Sequence, residues 1–460
     1  HKVKINDGLT VSVEACSESI FRIKVSPRKD FTESLMERYE LIKTDWSEVK
    51  TDISDKGGVW TLKTPEYSLA INKKTGVMTV KDAKGGKVIR EVRFLPEKEG
   101  LCGEMRSFIN EKYADLKVAD NGGGIIGDDN GKFGEVDKHE IPAADAVSIL
   151  SFSMEDGERF YGGGSTSRDH IQHRGEFLRM WTTYQQTEIP MPFMMSSRGW
   201  GVYNNSTRKS FFDIGNQQKS KFNIINTFDE ADFYLMMGKD MPAILNEYTL
   251  VTGRTYVLPK WAYGLCFGPN MREEQFDILN DAVRFRQFDV PCDVFWLEPQ
   301  WMEKRYDFST KKKWNYDRFS PEPYWLQDQY PKTMHNRLFI GKLRSMGFHL
   351  GLWLCEEYDL SIQEEDIIAE RTGGKLSGQE HWMDHLTVFM DQGVEGFKLD
   401  PARTIDNHTN WEYYNGRTDK EMHNLNQVLL PKQMRELGRK YNGKRTWHHY
   451  CGGWSGTQRW

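Results

Sequence analysis

The chain has 460 residues, which is more than one ordinary domain needs and enough for two or more. Its 62 basic and 67 acidic side chains give a formal net charge of -5, so nothing points to nucleic acid or an anionic membrane as a partner. No apolar run is long enough to cross a bilayer, and the sequence begins at His1 without a signal-peptide pattern, so we expect any targeting peptide to have been removed.

The first half of the sequence is typical of β-structure. Apolar and polar residues alternate along 21–25, and residues 67–82 predict a hairpin that turns at 74–76. Further strands are predicted at 147–153, 199–204, 221–228 and 231–237. Glycine-rich and charged segments separate these short strands, a pattern that predicts a β-sandwich domain over residues 1–255.

From Pro259 onward, apolar runs alternate with helical segments. Strands are predicted at 261–268, 292–298, 348–355, 394–400 and 446–452, and helices at 273–287, 333–346, 378–392 and 419–441. This order predicts a catalytic (β/α)8 TIM-type barrel over residues 256–460. Because only five strands are found, and a full barrel takes about 250 residues, we expect this sequence to hold the N-terminal part of a barrel that is truncated at its C-terminus.

Asp400 is the strongest candidate for a catalytic group. It ends the predicted strand at 394–400, and functional side chains of such barrels lie at the carboxyl ends of their strands. Lys398 stands two residues earlier and points to the same side of an ideal strand, so its charge would keep Asp400 ionised, as a nucleophile requires. The alternative is an aspartate that caps the next helix.

Glu298 ends the second predicted strand of the barrel, and the same argument places its carboxylate at the mouth. Hydrolysis of a glycoside uses two carboxylates, although a supporting ion pair or a contact with sugar hydroxyls fits Glu298 equally well. The 15 Trp and 19 Tyr of the chain agree with a carbohydrate cleft, because sugar C–H faces stack on aromatic rings, but core packing also uses such rings.

Three glycine- or histidine-bearing motifs are weaker signals. The glycines within 451–460 (CGGWSGTQRW) indicate a backbone that approaches a ligand closely. His448 and His449 are neighbours on a predicted strand and point to opposite faces, so a metal site is not expected. The glycines at 162–164 lack the Lys-Ser/Thr of a phosphate loop, and a flexible turn is expected there instead.

Taken in order, these motifs resemble glycoside hydrolase family 31 along nearly the whole chain. The resemblance rests on 160–164 (FYGGG) with Arg174, Gly175 and Trp181, on 192–193 with 199–203, on 248–264, on 396–400 (GFKLD) and on 456–460 (GTQRW). It implies a retaining mechanism, in which Asp400 attacks the anomeric carbon and a second aspartate acts as acid and base. In the family that aspartate lies in a W-x-G-D segment, which is expected beyond Trp460.

The resemblance also implies which residues bind the substrate. They are Trp181, Glu298, Trp301, Trp353, Lys398, Cys451, Trp454 and Arg459. The α-glucosidases of the family usually carry Asp-Ile-Asp where this chain has Glu-Pro-Gln at 298–300, and Arg where it has Cys451. An arginine offers up to five donors and a cysteine one weak donor, so the sugar is expected to differ from glucose.

The pairing of Cys451 with Trp454 resembles the bacterial α-galactosidase branch of the family. The expected activity is therefore that of an exo-acting, retaining α-galactosidase that needs neither cofactor nor metal and takes as its substrate a carbohydrate with a terminal α-linked galactose or a related sugar. An α-N-acetylgalactosaminidase and a catalytically inactive sugar-binding fragment remain as alternatives. The branch also suggests a periplasmic or secreted bacterial protein.

Overall fold

The fold is that of a computed structural model, which describes residues 1–5, 8–114, 140–166, 169–183, 189–269, 274–319, 339–356, 358–399 and 412–460. Sixteen described strands form two antiparallel sheets. They are β1 Lys2–Lys4, β2 Thr10–Ala15, β3 Ile20–Ser26, β4 Asp52–Lys56, β5 Val59–Lys63, β6 Tyr67–Asn72, β7 Met78–Asp82, β8 Lys87–Leu95, β9 Ser148–Ser153, β10 Phe160–Ser165, β11 Phe177–Met180, β12 Ile189–Ser196, β13 Trp200–Asn204, β14 Ser210–Ile214, β15 Lys221–Asn226 and β16 Ala231–Met237.

The two sheets form the predicted sandwich. One has seven strands in the order β1-β2-β3-β16-β13-β12-β10, and the other has nine in the order β11-β14-β15-β9-β8-β7-β6-β5-β4. Aromatic rings join them, because Phe152 of the second sheet stacks on Trp200 of the first with centroids 5.3 Å apart. The hairpin predicted at 67–82 is confirmed as β6 and β7, with Gly76 at φ 70° in its turn.

The expectation of a flexible turn at 162–164 is wrong. These glycines lie within β10, which pairs with β12 through a register shift between Gly162 and Gly164. A Cβ on Gly162 would lie 2.5 Å from the carbonyl oxygen of Phe193, and one on Gly164 would lie 2.1 Å from that of Ile189. The glycines are therefore required by the close approach of two strands at a bulge.

In the part of the sandwich that the structure describes there are three helices: α1 Leu35–Arg38, α2 Gly100–Tyr113 and α3 Met241–Thr252. Helix α2 was not predicted, and it buries Cys102, Met105, Ile109 and Tyr113 in a second core against the nine-stranded sheet. Their spacing of three, four and four residues is helical, so the signal was present in the sequence. The predicted domain boundary after residue 255 falls between α3 and the first barrel strand.

The described part of the barrel has a parallel sheet of five strands. In order they are β17 Cys266–Phe267, β18 Val294–Leu297, β19 His349–Leu354, β20 Gly396–Leu399 and β21 Trp447–Tyr450. The helices are α4 Gln275–Gln287, α5 Phe339–Ser345, α6 Ser361–Thr372, α7 Thr387–Gln392 and α8 Asp419–Asn442. No helix among the described residues is both long and apolar enough to span a bilayer.

Three barrel elements differ from the prediction. The strand expected over 261–268 is reduced to β17, because Pro259 opens a 3₁₀ turn at Lys260–Tyr263. The helix expected over 378–392 begins late, since Gly378 at φ 70° precedes a 3₁₀ turn at Trp382–Leu386. Helix α6 was missed, and residues 333–338 of the helix predicted at 333–346 lie outside the described residues.

Helix α8 holds the barrel against the sandwich through buried polar groups. The Asn424 side chain accepts a hydrogen bond from the Thr182 amide (3.0 Å) and donates one to the Thr207 carbonyl (2.9 Å). Lys432 donates to the Tyr39 carbonyl (2.9 Å) and pairs with Glu364 (2.6 Å), and both charged side chains are buried. Because buried polar groups need partners, this network fixes one arrangement of the two domains.

Candidate functional site

The carboxyl ends of β18, β19 and β20 bring three predicted substrate-binding residues to one level. Leu297 of β18 is the register partner of Leu352 of β19, so the next residues, Glu298 and Trp353, stand side by side. Trp353 is in turn the register partner of Lys398 of β20. The Nζ atom of Lys398 lies 3.0 Å from Oε1 of Glu298, and about a fifth of each side chain is exposed. An ion pair of this exposure adds little to folding stability but holds the carboxylate in one position at the barrel mouth.

Directly below this ion pair, a tryptophan lies across two glycines. The Trp296 ring would lie 2.0 Å from a Cβ on Gly351 and 3.2 Å from one on Gly396. The three residues are register partners on neighbouring strands, and Trp447 meets the same ring edge-on with centroids 5.1 Å apart. Because Gly351 and Gly396 carry no side chains, the flat Trp296 ring fits over β19 and β20 beneath Glu298 and Lys398.

Strand β21 brings Cys451 next to the end of β20. The Cys451 amide donates to the Leu399 carbonyl at 3.4 Å, which continues the parallel pairing of the two strands by one residue. The predicted nucleophile Asp400 lies outside the described residues, and its role stays a prediction. The contact that the structure gives Lys398 is with Glu298, so the predicted effect of Lys398 on Asp400 also stays a prediction.

Two of the predicted tryptophans lie inside the barrel wall. The Trp301 side chain is fully buried, and its indole N–H donates to the Trp353 carbonyl at 2.7 Å. Its ring packs edge-on against Trp314 and Phe389. Trp353 is also buried but stands level with Glu298 and Lys398. The geometry therefore gives Trp301 a packing role, whereas Trp353 lies in the layer of the ion pair.

The other two predicted tryptophans pack where the sandwich meets α8. Trp181 is 3% exposed and stacks on His423 with ring centroids 4.0 Å apart. His423 also contacts the Thr182 carbonyl at 2.7 Å. Trp454 is completely buried. The structure thus places both rings in the domain junction, where they support the barrel end rather than offering an open face to a sugar.

The glycines that follow Cys451 approach the protein itself. A Cβ on Gly452 would lie 2.3 Å from the Gln427 side chain of α8, and one on Gly453 would lie 2.8 Å from Ile189 of β12. Close protein groups explain these two glycines, and the expectation that they mark a backbone close to a ligand stays a prediction. They let the segment after β21 run tightly between α8 and the sandwich.

Arg459 lies away from the ion pair. Its guanidinium donates to the Glu40 carbonyl at 3.1 Å and lies 4.4 Å from the Trp460 ring centroid, and its side chain packs on Gly253. Burial lowers its pKa, since the charged form is disfavoured there. The described contacts of Arg459 do not include Glu298 or Lys398, so the structure does not bring it together with them.

Among the described residues, no group of three or more His, Cys, Asp or Glu side chains is placed to hold a metal ion. His448 and His449 point to opposite faces of β21, as the strand period requires. His448 faces α8, stacks on Phe397 and accepts from the Phe397 amide at 3.2 Å. His449 is exposed and is the register partner of Lys398.

Burial lowers the pKa of His448 from 6.5 to about 3, which predicts a stability change with pH. Above pH 6.5 the histidine is neutral in both states and costs nothing. As the pH falls from 6.5 towards 3, the unfolded chain takes up a proton that the folded chain does not, so the free energy of unfolding drops by about 1.4 kcal/mol per pH unit. Urea unfolding between pH 5 and 7 should show this loss in the native protein and a flatter profile in His448→Phe; equal slopes would contradict it.

Two buried residues of the barrel were not predicted: Trp296, which lies in the site, and Lys312, whose described contacts do not include Glu298 or Lys398. Trp296 could have been predicted, because it stands two residues before Glu298 and therefore on the same face of β18. Its register partners on the next strands, Gly351 and Gly396, are glycines. The burial of Lys312 could not have been predicted, because it lies in a run of three lysines, which is typical of a solvated surface. It is 8% exposed and donates to the Ser309 carbonyl at 2.6 Å, and burial lowers its pKa.

Comparison with known proteins agrees with this arrangement. The family profile described as the "Glycosyl hydrolase 31 N-terminal galactose mutarotase-like domain" matches residues 10–213, and the "Glycosyl hydrolases family 31 TIM-barrel domain" matches residues 255–460. An α-xylosidase of Emericella nidulans is 22% identical over 354 residues, which cover 70% of this chain and 43% of that protein. An α-xylosidase of Saccharolobus solfataricus is 27% identical over 319 residues, which cover 64% and 40%.

Solved structures show the same fold. A family 31 dextranase of Flavobacterium johnsoniae, complexed with glucose, superposes with a TM-score of 0.70 at 17% identity, over 99% of this chain and 53% of that one. A soil-metagenome α-xylosidase of family 31, complexed with xylose, gives a TM-score of 0.71 at 16% identity, over 100% and 65%. The chain spans about two fifths of the length of the curated relatives described above. With both of its domains matched, the chain belongs to glycoside hydrolase family 31.

Proposed function

We propose that the whole protein is a retaining, exo-acting α-glycoside hydrolase that uses Asp400 as its nucleophile. The observation that carries the proposal is the Glu298–Lys398 ion pair at the carboxyl ends of β18 and β20. Lys398 stands two residues before Asp400 in the chain. The pair stands over the Trp296 ring and level with Trp353. A carboxylate beside an ammonium group suits a sugar, because sugar hydroxyls both donate and accept hydrogen bonds.

In this proposal, each group has a distinct task. The Asp400 carboxylate attacks the anomeric carbon as the bond to the leaving oxygen breaks, which forms a covalent glycosyl-enzyme. A second carboxylic acid, which the retaining mechanism requires, gives its proton to the leaving oxygen and then takes one from water, which releases the sugar. Glu298, held by Lys398, accepts hydrogen bonds from substrate hydroxyls while Lys398 donates to a sugar oxygen.

We further propose that the preferred sugar has an axial O4, which makes α-galactosides the best substrates. Two positions support this choice: Glu298 opens a Glu-Pro-Gln segment, and Cys451 adjoins the end of β20 with at most one weak donor. Both differ from the residues usual in the α-glucosidases of the family. A buried polar group left unpaired by the wrong epimer costs about 1–3 kcal/mol, so a few such groups give strong discrimination.

A second candidate is an α-xylosidase. Two relatives, from Emericella nidulans and Saccharolobus solfataricus, carry that name at 22% and 27% identity. Xylose lacks the hydroxymethyl group at C5, so an α-xylosidase requires a substrate pocket that is closed at that position. The α-N-acetylgalactosaminidase alternative shares the axial O4 and instead requires space beside O2.

Competing substrates decide between these sugars. The full-length protein is given equal concentrations of the 4-nitrophenyl α-glycosides of galactose, N-acetylgalactosamine, xylose and glucose, and kcat/KM is measured for each. We expect the galactoside to exceed the glucoside by about tenfold to a hundredfold, which is the effect of one or two unpaired polar groups. Preference for the xyloside or the acetamido sugar would replace the proposed substrate, and preference for the glucoside would contradict the role given to Cys451.

The ion pair is tested by a double-mutant cycle. Glu298→Gln and Lys398→Met should each lower kcat/KM by about tenfold to a hundredfold, because each removes a charge-assisted hydrogen bond. The double variant should lose little more than either single one, since the two side chains act as a unit. Lys73→Met, which removes an exposed pair with Asp55 in the sandwich, serves as the control and should keep full activity. Additive losses would show that the two residues act separately.

A further inference from the structure

A loop that follows β18 lies against the end of β19. It runs over residues 302–314, and an antiparallel bridge between Met302 and Trp314 joins its two ends. Inside it, the buried Lys312 side chain donates to the Ser309 carbonyl at 2.6 Å. These contacts hold the segment in one conformation. We refer to residues 302–314 as the β18 loop.

The β18 loop covers the side of β19 that carries the ion pair. Trp353 is the register partner of Lys398 and points to the same side of the sheet, and Cys355 stands two residues later on that side of an ideal strand. The Tyr306 ring meets the Trp353 ring edge-on with centroids 5.5 Å apart. The Cys355 thiol donates to the Asp307 carbonyl at 3.4 Å. The loop therefore forms a wall of the barrel mouth next to the ion pair.

Tyr306 has a backbone conformation that bulky residues rarely adopt. Its φ is 54°, in the left-handed region, and Glu40 and Asp289 are the other non-glycine residues with positive φ in the part of the chain that the structure describes. The conformation is strained because a Cβ crowds the following carbonyl oxygen, and a glycine would remove that strain. Strained residues cluster at active sites and ligand clamps, so the tyrosine at this position indicates a function for its ring.

The Tyr306 ring is accessible from solvent. Tyr306 is half-buried, whereas Trp353 behind it is 1% exposed. The exposed Arg305 places its guanidinium 4.7 Å from the Tyr306 ring centroid and donates to the phenol oxygen at 3.1 Å. An aromatic ring beside a hydrogen-bond donor suits a sugar or an aryl group, because such a ligand has a face that stacks and oxygen atoms that accept.

The position of Tyr306 selects the leaving-group side of the substrate. Glu298 and Lys398 stand at the carboxyl ends of their strands, and the β18 loop begins beyond the end of β18. In an exo-acting hydrolase the terminal sugar enters the barrel mouth first, so the leaving group points outward past this loop. We propose that Tyr306 is a specificity-determining residue whose ring stacks on the sugar or aryl ring of the leaving group. The inference rests on the proposed function, because it needs a substrate held by Glu298 and Lys398.

Two substrates with different leaving groups test this role in the full-length protein. The leaving group of 4-nitrophenyl α-galactoside is an aryl ring, whereas that of α-galactosyl fluoride is a single atom; if another sugar is preferred, the same pair of that sugar is used. Tyr306→Ala should raise KM for the nitrophenyl glycoside by about threefold to tenfold, the effect of one aromatic contact, and KM for the fluoride by less than about twofold. Tyr306→Phe keeps the ring and should raise KM for the nitrophenyl glycoside less than Tyr306→Ala does.

Glycine substitutions at two positions with positive φ give the matched control. Tyr306→Gly removes the strain together with the ring and should behave as Tyr306→Ala does, which keeps the test decisive if the alanine variant folds poorly. Asp289 is exposed and follows α4, so Asp289→Gly should leave both KM values unchanged.

Two results with an active wild-type protein would overturn the inference alone. Equal rises in KM for both substrates would show that Tyr306 supports the barrel mouth without touching the leaving group. Unchanged KM values in Tyr306→Ala and Tyr306→Gly would show that the ring makes no contact with the substrate. A wild-type protein that turns over neither substrate would overturn the proposed function, and the role of Tyr306 with it.

Discussion

Replacement of Asp400 by asparagine is expected to abolish turnover in the full-length protein. An amide of nearly the same shape cannot attack the anomeric carbon, and the loss of a nucleophile of this kind costs about four orders of magnitude or more in kcat. The substitution should leave sugar binding largely intact, since the charge of Glu298 and its pairing with Lys398 are retained. The measurement is single-turnover and steady-state hydrolysis of an aryl α-galactoside.

A matched control separates chemistry from folding. Asp384 is exposed, lies in the 3₁₀ turn before α7, and is changed to asparagine in the same way. Asp384→Asn should keep full activity, and both variants should keep the native unfolding midpoint. A well-folded Asp400→Asn protein with near-native kcat would remove Asp400 from the nucleophile role.

The second large effect is expected at Gly351. A single methyl group there would lie 2.0 Å from two ring carbons of Trp296, which is far inside van der Waals contact. The ring is buried between β18, β19 and β20, so neither it nor the backbone can move freely. Gly351→Ala should lower the free energy of unfolding by about 3 kcal/mol or more. The measurement is urea unfolding followed by tryptophan fluorescence.

The companion variant Trp296→Ala shows whether the ring is the cause. Alone it removes a large buried side chain and should cost about 3–5 kcal/mol. Combined with Gly351→Ala, the loss should fall short of the sum by about 2 kcal/mol, because the new methyl group occupies part of the space left by the ring. Gly103→Ala in α2, where an added Cβ meets open space, should be neutral or slightly stabilising. Strict additivity of Gly351→Ala and Trp296→Ala would contradict the proposed steric conflict.

The order of strands and helices could be predicted from the sequence, because each depends on the pattern of apolar residues within a short segment. The alternation in 21–25 predicted β3, and the apolar runs that end at Glu298, Cys355 and Asp400 predicted β18, β19 and β20. The strand ends also predicted that Glu298 and Lys398 belong to one site, and their contact at 3.0 Å agrees with that. This inference was possible because the functional side chains of parallel barrels lie at the carboxyl ends of their strands.

The tertiary structure decided which side chains of the motifs are exposed at the barrel mouth and which are buried in the protein. Trp181, Trp301, Trp353 and Trp454 are all buried, and the rings of Trp181 and Trp301 pack against His423 and Phe389. Sequence spacing cannot separate these cases, because burial depends on elements far apart in the chain. Helix α8 stands more than two hundred residues after Trp181 and is the element that covers it.

The sequence by itself determined the two-domain order, most of the strands and the family, because each depends on local patterns or on ordered motifs. Only the tertiary structure decided that Trp296 rests on Gly351 and Gly396, that Lys312 is buried, and that Asn204 and Asn226 meet across the ends of two sheets. Each of these depends on strand register and domain docking, which are set by contacts between distant segments and leave no periodic trace in the chain.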